Sequence, residues 1–147
     1  MGLFNGLNIS ASGMTAQRLR MDLISNNIAN INTTRTEDGG PYKKKMPVFK
    51  AKGQTKFSLP ELDTDAKGVG NGVEVSTIRE STKPPKLVYN PNHPDANEAG
   101  YVKMPNINLA SQMVNMISAS RAYEANVTAL NSSKNMFKSA LKIGGIR

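Results

Sequence analysis

The feature that most constrains this chain is a row of apolar residues near its C-terminal end, set at alternating steps of four and three. Leu109, Met113, Met116, Tyr123, Val127, Leu130, Phe137 and Leu141 hold the row, with Ser120 and Lys134 at the two skipped positions. This is a heptad seam kept up for about four and a half repeats, and it predicts one continuous helix roughly 50 Å long. Lys134, Lys138, Lys142 and Arg147 suit the negative end of its dipole. Ala122, Ala125, Ala129 and Ala140 lie on the far side, where small side chains let another backbone come close, although alanine also favours helix on its own account. A helix of this length is stable only when its stripe is buried against a partner.

The nearest available partner is at the other end of the chain. From about Leu3 to Ala29 the apolar residues again follow helical spacing, on two opposite faces. Leu3, Leu7, Ala11, Met14, Met21 and Ile28 fall on one face, and Ile9, Ala16, Leu19 and Leu23 on the other. Only Arg18, Arg20 and Asp22 are charged, and the remaining surface is mostly Asn, Ser, Thr and Gln. A solvent-facing helix would carry Glu and Lys there, which form helix well and pair at i,i+4. Such a helix expects contacts on more than one side. Asn30-Ile31-Asn32-Thr33-Thr34 ends it, because Asn and Thr compete for helical hydrogen bonds.

Between the helices the chain is polar and thin in Leu, Ile, Val and Phe. Asp38-Gly39-Gly40-Pro41 marks a turn, after which Tyr42, Met46 and Val48 alternate with polar residues, as on a half-buried strand. Pro47 confines that strand to an edge or a bulge. A second strand is predicted from Gly72 to Glu80, with Val73, Val75 and Thr77 on one side. Short strands are predicted at Lys86 to Tyr89 and Tyr101 to Met104, separated by the turn-rich Asn90 to Asp95. The expected fold is α+β: long N- and C-terminal helices packed as an antiparallel coiled coil, with a small β-rich middle domain. The regions are 1–32, 33–105 and 106–147. Within the chain, Met113, Tyr123, Val127, Leu130 and Phe137 are expected to meet Leu7, Met14, Met21 and Ile28, leaving the opposite faces for neighbouring chains. Leu19, Leu23, Met116 and Leu141 complete the expected packing and assembly positions.

Residues able to do chemistry are few. The chain has no cysteine, which excludes disulfides, thiolate ligands and thiol nucleophiles. His93 is the single histidine and sits in a Pro-rich turn, where a surface role is the default. Gly68-Val69-Gly70-Asn71-Gly72 lacks the Gly-Lys-Ser/Thr ending of a phosphate loop and reads as a hairpin or flexible loop. Asp63 and Asp65 lack the further oxygen ligands a cation needs. Methionine-rich stripes fit helical packing better than a promiscuous groove. No catalytic, cofactor-binding or metal-binding residue is assigned, and no enzymatic activity is expected.

Formal charge is +8, from nineteen Lys and Arg against eleven Asp and Glu, which admits nucleic acid, an acidic protein or an anionic surface as partner. The basic residues are interspersed with acids, and the one tight run is Lys43-Lys44-Lys45, without aromatic residues arranged to stack bases. Nucleic-acid binding is therefore not expected. The N-terminal residues have neither the basic region nor the apolar run of a cleavable signal, Gly6 stands where a myristoylation site needs Ser or Thr, and no apolar run spans a bilayer. A cytoplasmic coiled-coil adaptor would share the heptads but would show Glu and Lys on its outer helix faces.

Ser12 to Asn30, reading SGMTAQRLRMDLISNNIAN, resembles the N-terminal signature of bacterial flagellar axial proteins, the rod and hook subunits. ASRAYEANVTALNSSKNMFKSAL, from Ala119 to Leu141, is similar to that family's C-terminal helix. Asp38 to Tyr42, Lys86 to Ala96 and Gly100 to Asn106 look like the proximal-rod branch, whereas distal-rod and hook-type subunits carry a longer inserted middle. The resemblance implies a structural subunit of the basal-body rod in the periplasm, exported unfolded and unprocessed through the flagellar type III apparatus. It implies other rod proteins, copies of the chain and the surrounding basal-body rings as partners, with no cofactor, no nucleic acid and no membrane insertion. Asn- and Ser-rich helices with uncovered stripes are expected to be loose before assembly and ordered by it.

Overall fold

The computed structural model describes residues 3–37, 39–52 and 71–145. The element order is α1 (Leu3–Ala29), β1 (Lys45–Ala51), β2 (Val73–Glu80), β3 (Lys86–Tyr89), β4 (Tyr101–Met104) and α2 (Leu109–Gly144). The fold is α+β, with the two long helices and β-rich middle that the hydrophobic pattern predicts, and the four strands pair as two small antiparallel sheets. Asp63, Asp65 and most of the Gly68 to Gly72 loop lie outside the described residues.

Each helix ends where its side chains take over the backbone's hydrogen bonds. Asn30 Nδ2 donates to the carbonyl of Asn26 and to its Oδ1, closing α1. At the start of α2, Asn108 Oδ1 accepts from the Ser111 amide at 3.0 Å, supplying an N-cap to an otherwise orphaned donor. The helices are antiparallel: Gly13 of α1 lies against Asn126 of α2, while Arg20, further along α1, reaches back to Asn115. Because α2 has 36 residues against 27 in α1, its C-terminal turns outrun its partner.

β1 and β2 pair along α1 and are fastened to it at both ends. At one end Asn27 is fully buried, and its amide grips the first residue of β1 from both sides. Nδ2 donates to the Lys45 carbonyl at 2.8 Å, and Oδ1 accepts from the Lys45 amide at 2.8 Å. Oδ1 also accepts from the Tyr42 hydroxyl at 3.2 Å. At the other end Ser12 Oγ accepts from the Val73 amide, the first residue of β2, at 3.1 Å. Gly72, with φ of +103°, passes so close to Ser12 that no Cβ fits. The spacing matches: Ser12 and Asn27 are about 22 Å apart along a helix, and a seven-residue strand covers a similar length.

Pro47 pairs opposite Ile78 on a strand that is an edge of its two-stranded sheet, and the register slips between Val48 and Phe49, where Ser76 is the extra residue, so the bulge is carried by β2. β3 and β4 form the second ladder, closed by a loop in which Asn97 Oδ1 accepts from the Tyr101 amide at 2.8 Å. Val102 of β4 is fully buried, and Tyr89 and Tyr101 meet edge to face at 5.3 Å. Gly100, at φ +76°, keeps the backbone clear of the Tyr89 ring. Thr34 donates to Asp95 at 2.7 Å, tying this loop to the segment after α1.

Replacing Asn27 with Ala strands the Lys45 amide and carbonyl beside a buried position. We expect a loss of about 3 kcal/mol, several times the cost of an ordinary surface change. Urea unfolding of the purified chain measures it. A loss below about 0.5 kcal/mol would show that the amide does not hold the hairpin.

Candidate assembly interface

The contact between α1 and α2 places small and polar residues beside a few large aliphatic ones. Ala16, Leu23, Ile24 and Asn27 of α1 are buried, as are Gln112 and Ala119 of α2. Asn126 sits over Gly13, where an added Cβ would stand 2.9 Å from its Oδ1. Asn126 keeps its own amide satisfied by donating to the Ala122 carbonyl at 2.8 Å. Glycine and alanine on one helix, with Ala119 and Asn126 on the other, let the backbones approach without large side chains between them.

This corrects the expected seam. Among its members Met116, Tyr123, Val127 and Leu130 are half-buried, but Met113 is 55% exposed, and Phe137 and Leu141 are also exposed. Met113 therefore does not join the most buried part of the contact with α1. On α1, Leu23 is buried, while Leu7, Met14, Leu19, Met21 and Ile28 are half-buried. The most buried face of α1 is that of Ala16 and Leu23, the one expected to meet other chains. Two physical reasons account for the shift. A strict seven-residue row drifts by about 20° per heptad around a straight helix, so it cannot stay on one partner along its whole length. The close approach at Gly13 then favours the row of Gln112, Ala119 and Asn126, one position aside from the apolar one.

The hydropathy pattern gave no sign of Asn27, Gln112 or Asn126. The one available hint was the placing of poor helix formers, Ser25-Asn26-Asn27, inside a helix. Of the small alanines, Ala122 is half-buried toward α1, and Ala125, Ala129 and Ala140 are exposed. Large apolar residues on another face of α2 also stay uncovered: Val114 and Ile117 near its start, and Met136 and Ile143 toward its end.

His93 Nδ1 accepts from the Asp95 amide at 3.1 Å, a turn-forming contact. Among the described residues no three of His, Cys, Asp and Glu gather as metal ligands, and no helix is long and apolar enough to cross a membrane. The Tyr42 phenol, which donates to Asn27, is held above its usual value of 10.0, first by burial and then by the Glu80 carboxylate.

Terminal helices that pack through small residues and present apolar rows outward define an assembly subunit. Residues 7–35 match a family model described as flagella basal body rod protein, and residues 98–143 match the C-terminal region of the flagellar basal body rod FlgEFG proteins. Over nearly its whole length the chain is similar to proteins called flagellar basal-body rod protein FlgC. It is 51% identical to that of Borreliella burgdorferi, covering 97% of this chain and 98% of the relative. It is 46% identical to that of Bacillus subtilis and 40% identical to that of Escherichia coli O157:H7, covering 98% of this chain and 99% of the relative in both cases. The chain belongs to the FlgC family of flagellar basal-body rod proteins, and its role is structural. The full-length matches displace the distal-rod and hook-type alternative.

Two outcomes follow from this geometry. Gly13→Val forces a branched side chain into Asn126 and should cost about 2 kcal/mol, part of which Asn126→Ala in the same chain returns, as a double-mutant cycle would measure. The Tyr42 contribution is complete below pH 10.0, where both folded and unfolded phenols are protonated, and is lost as pH rises from there through the folded value. Urea stability should therefore fall above that pH more steeply in the native chain than in Tyr42→Phe; parallel profiles would exclude the coupling.

Proposed function

We propose that this chain is a non-catalytic subunit of the proximal rod, stacking helically with copies of itself and with other rod proteins into the shaft that carries motor torque, and so serving motility. The observation that carries this reading is the uncovered apolar row on α2, where Ile117 is 54% and Ile143 is 78% exposed. Burying each such side chain between neighbours is worth about 1.5–3 kcal/mol. The single chain leaves that free energy unused. Charge is sparse along both helices, so little needs desolvating when chains come together. A tube of helices covered on several sides resists twisting, because close-packed interiors deform little.

The same reading includes export through the flagellar type III apparatus without a cleaved signal, and a final place in the periplasmic part of the basal body, inside the surrounding rings. Two features support it. The apolar core is small: Leu23, Ile24 and Val102 are the large aliphatic residues buried among those described, so unfolding for passage meets little resistance. The chain also has no cysteine to form disulfides in an oxidising space. Nucleic acid, cofactors and membrane insertion have no part in this function.

Ile117→Asp tests the reading cleanly because the residue is already exposed. Unfolding of the purified variant should stay within about 0.5 kcal/mol of the native chain, while cells carrying it as their sole copy build no complete rod and do not swim. Normal swimming would sink the proposal. Leu130→Asp, at a half-buried position, should lose both stability and assembly.

A further inference from the structure

An open cleft of about 300 Å³ lies where the second half of α1, the start of β1 and the first turns of α2 meet. Ile24, Met46, Pro47 and Phe49 form its apolar walls, and Met46 and Phe49 remain exposed at its lip. Arg20 and Lys44 are the cations available to it, since the Lys45 ammonium lies over the Tyr42 ring at 5.9 Å, and no carboxylate lines it.

Three observations point to a missing acceptor. Gln112, also lining the cleft, is 1% exposed, and its Nε2 is shut off from solvent without a hydrogen-bond partner. A buried amide donor left in that state is costly, and native structures keep few of them. The neighbouring amide oxygen of Asn27 is already engaged by Lys45 and Tyr42. Second, the contact recorded for Arg20 is a neutral one, Nη2 to Asn115 Oδ1 at 3.5 Å, the outer limit of a hydrogen bond. Neither ion pair among the described residues, Lys50 with Glu74 or His93 with Asp95, draws on the cleft's cations. Third, the first turn of α2 carries no acidic residue, so the positive end of its dipole is uncompensated beside Gln112.

We propose that this cleft receives a carboxylate side chain from a neighbouring protein chain, presented next to an apolar residue. The carboxylate accepts from the Arg20 guanidinium and the Gln112 amide, with Lys44 adding charge, and the apolar residue lies on Met46 and Phe49. A guanidinium's paired donors match the paired oxygens of a carboxylate, the Gln112 amide adds a further donor to the same cleft, and the apolar lip shields the contact from water. The inference rests on the reading that the chain works packed among other subunits, and it adds the chemistry of one contact.

The test replaces Phe49 with a photo-crosslinking phenylalanine analogue in the full chain, expressed as the sole copy, and crosslinks assembled basal bodies. The expected product joins Phe49 to a peptide of another chain that contains Asp or Glu. Arg20→Glu should lower the yield at least about tenfold, and Arg20→Lys should restore much of it. Gln112→Met removes the unpaired amide, so it should raise the melting temperature of the purified chain while lowering the crosslink yield. That combination separates a contact with a partner from a purely structural role, and it stands even if Arg20→Glu folds poorly. Several results would overturn the proposal: no crosslink in assembled basal bodies, a crosslinked peptide without an acid, or full yield in Gln112→Met. Stabilisation of the purified chain by acetate or phosphate without any crosslink would mark the cleft as a small-anion site and overturn it too. If Ile117→Asp blocks assembly while Arg20→Glu assembles with full yield, the assembly reading stands and the cleft proposal falls.

Discussion

One buried amide holds the two structural layers of this chain together. Asn27 presents a donor and an acceptor in the plane of its side chain, and Lys45 presents the complementary pair on its backbone. The side chain thereby acts as a one-residue strand, pairing with β1 as another strand would. A buried polar group is tolerable only when it is satisfied, and Asn27 is satisfied by groups that would otherwise be stranded themselves. The place of the β1–β2 hairpin, the pairing of Tyr42 and the cleft beside Arg20 all depend on this contact. Ser12 fixes the far end, and the match of helical rise to strand rise lets both fastenings hold at once.

The second determinant is closeness. Gly13 and Ala16 bring α1 near α2, and Ala119 and Asn126 accept that approach from the other side. Leu23 and Ile24 are buried with these small residues, while Val114, Ile117, Met136 and Ile143 of α2 are left outside. That is a partial reversal of the usual order in a monomeric domain, where large apolar side chains form the core and small or charged ones cover it. An assembly subunit benefits from the reversal, because the free energy of apolar burial is withheld until neighbours arrive.

Much of the architecture was legible beforehand. Period-3.6 rows marked both helices, period-2 alternation marked β1 and β2, and the turn residues around Asn90 to Asp95 separated β3 from β4. Pro47 pointed to an edge strand, which β1 is, whereas the bulge opposite it, at Ser76 of β2, carried no sequence mark. The packing positions were less legible. Leu23 was recognised and is buried, yet Met113 and Leu141 were expected in the seam and are exposed. Hydropathy ranks residues by their preference for burial. It says nothing of which of two adjacent rows a small-residue contact will select, and it assigns Asn27 and Gln112 to the surface.

The sequence by itself determined that this chain has two long helices at its ends, a β-rich middle, no thiol chemistry and helix surfaces too poor in charge to face water. These are local properties, written in spacing and composition. The tertiary structure alone decided which row of each helix turns inward, because that choice depends on how closely two particular backbones can approach at Gly13 and Asn126. It also decided that an asparagine inside α1 would serve as the fastening for a strand, since a side-chain amide acquires that role only when a free backbone edge is brought against it.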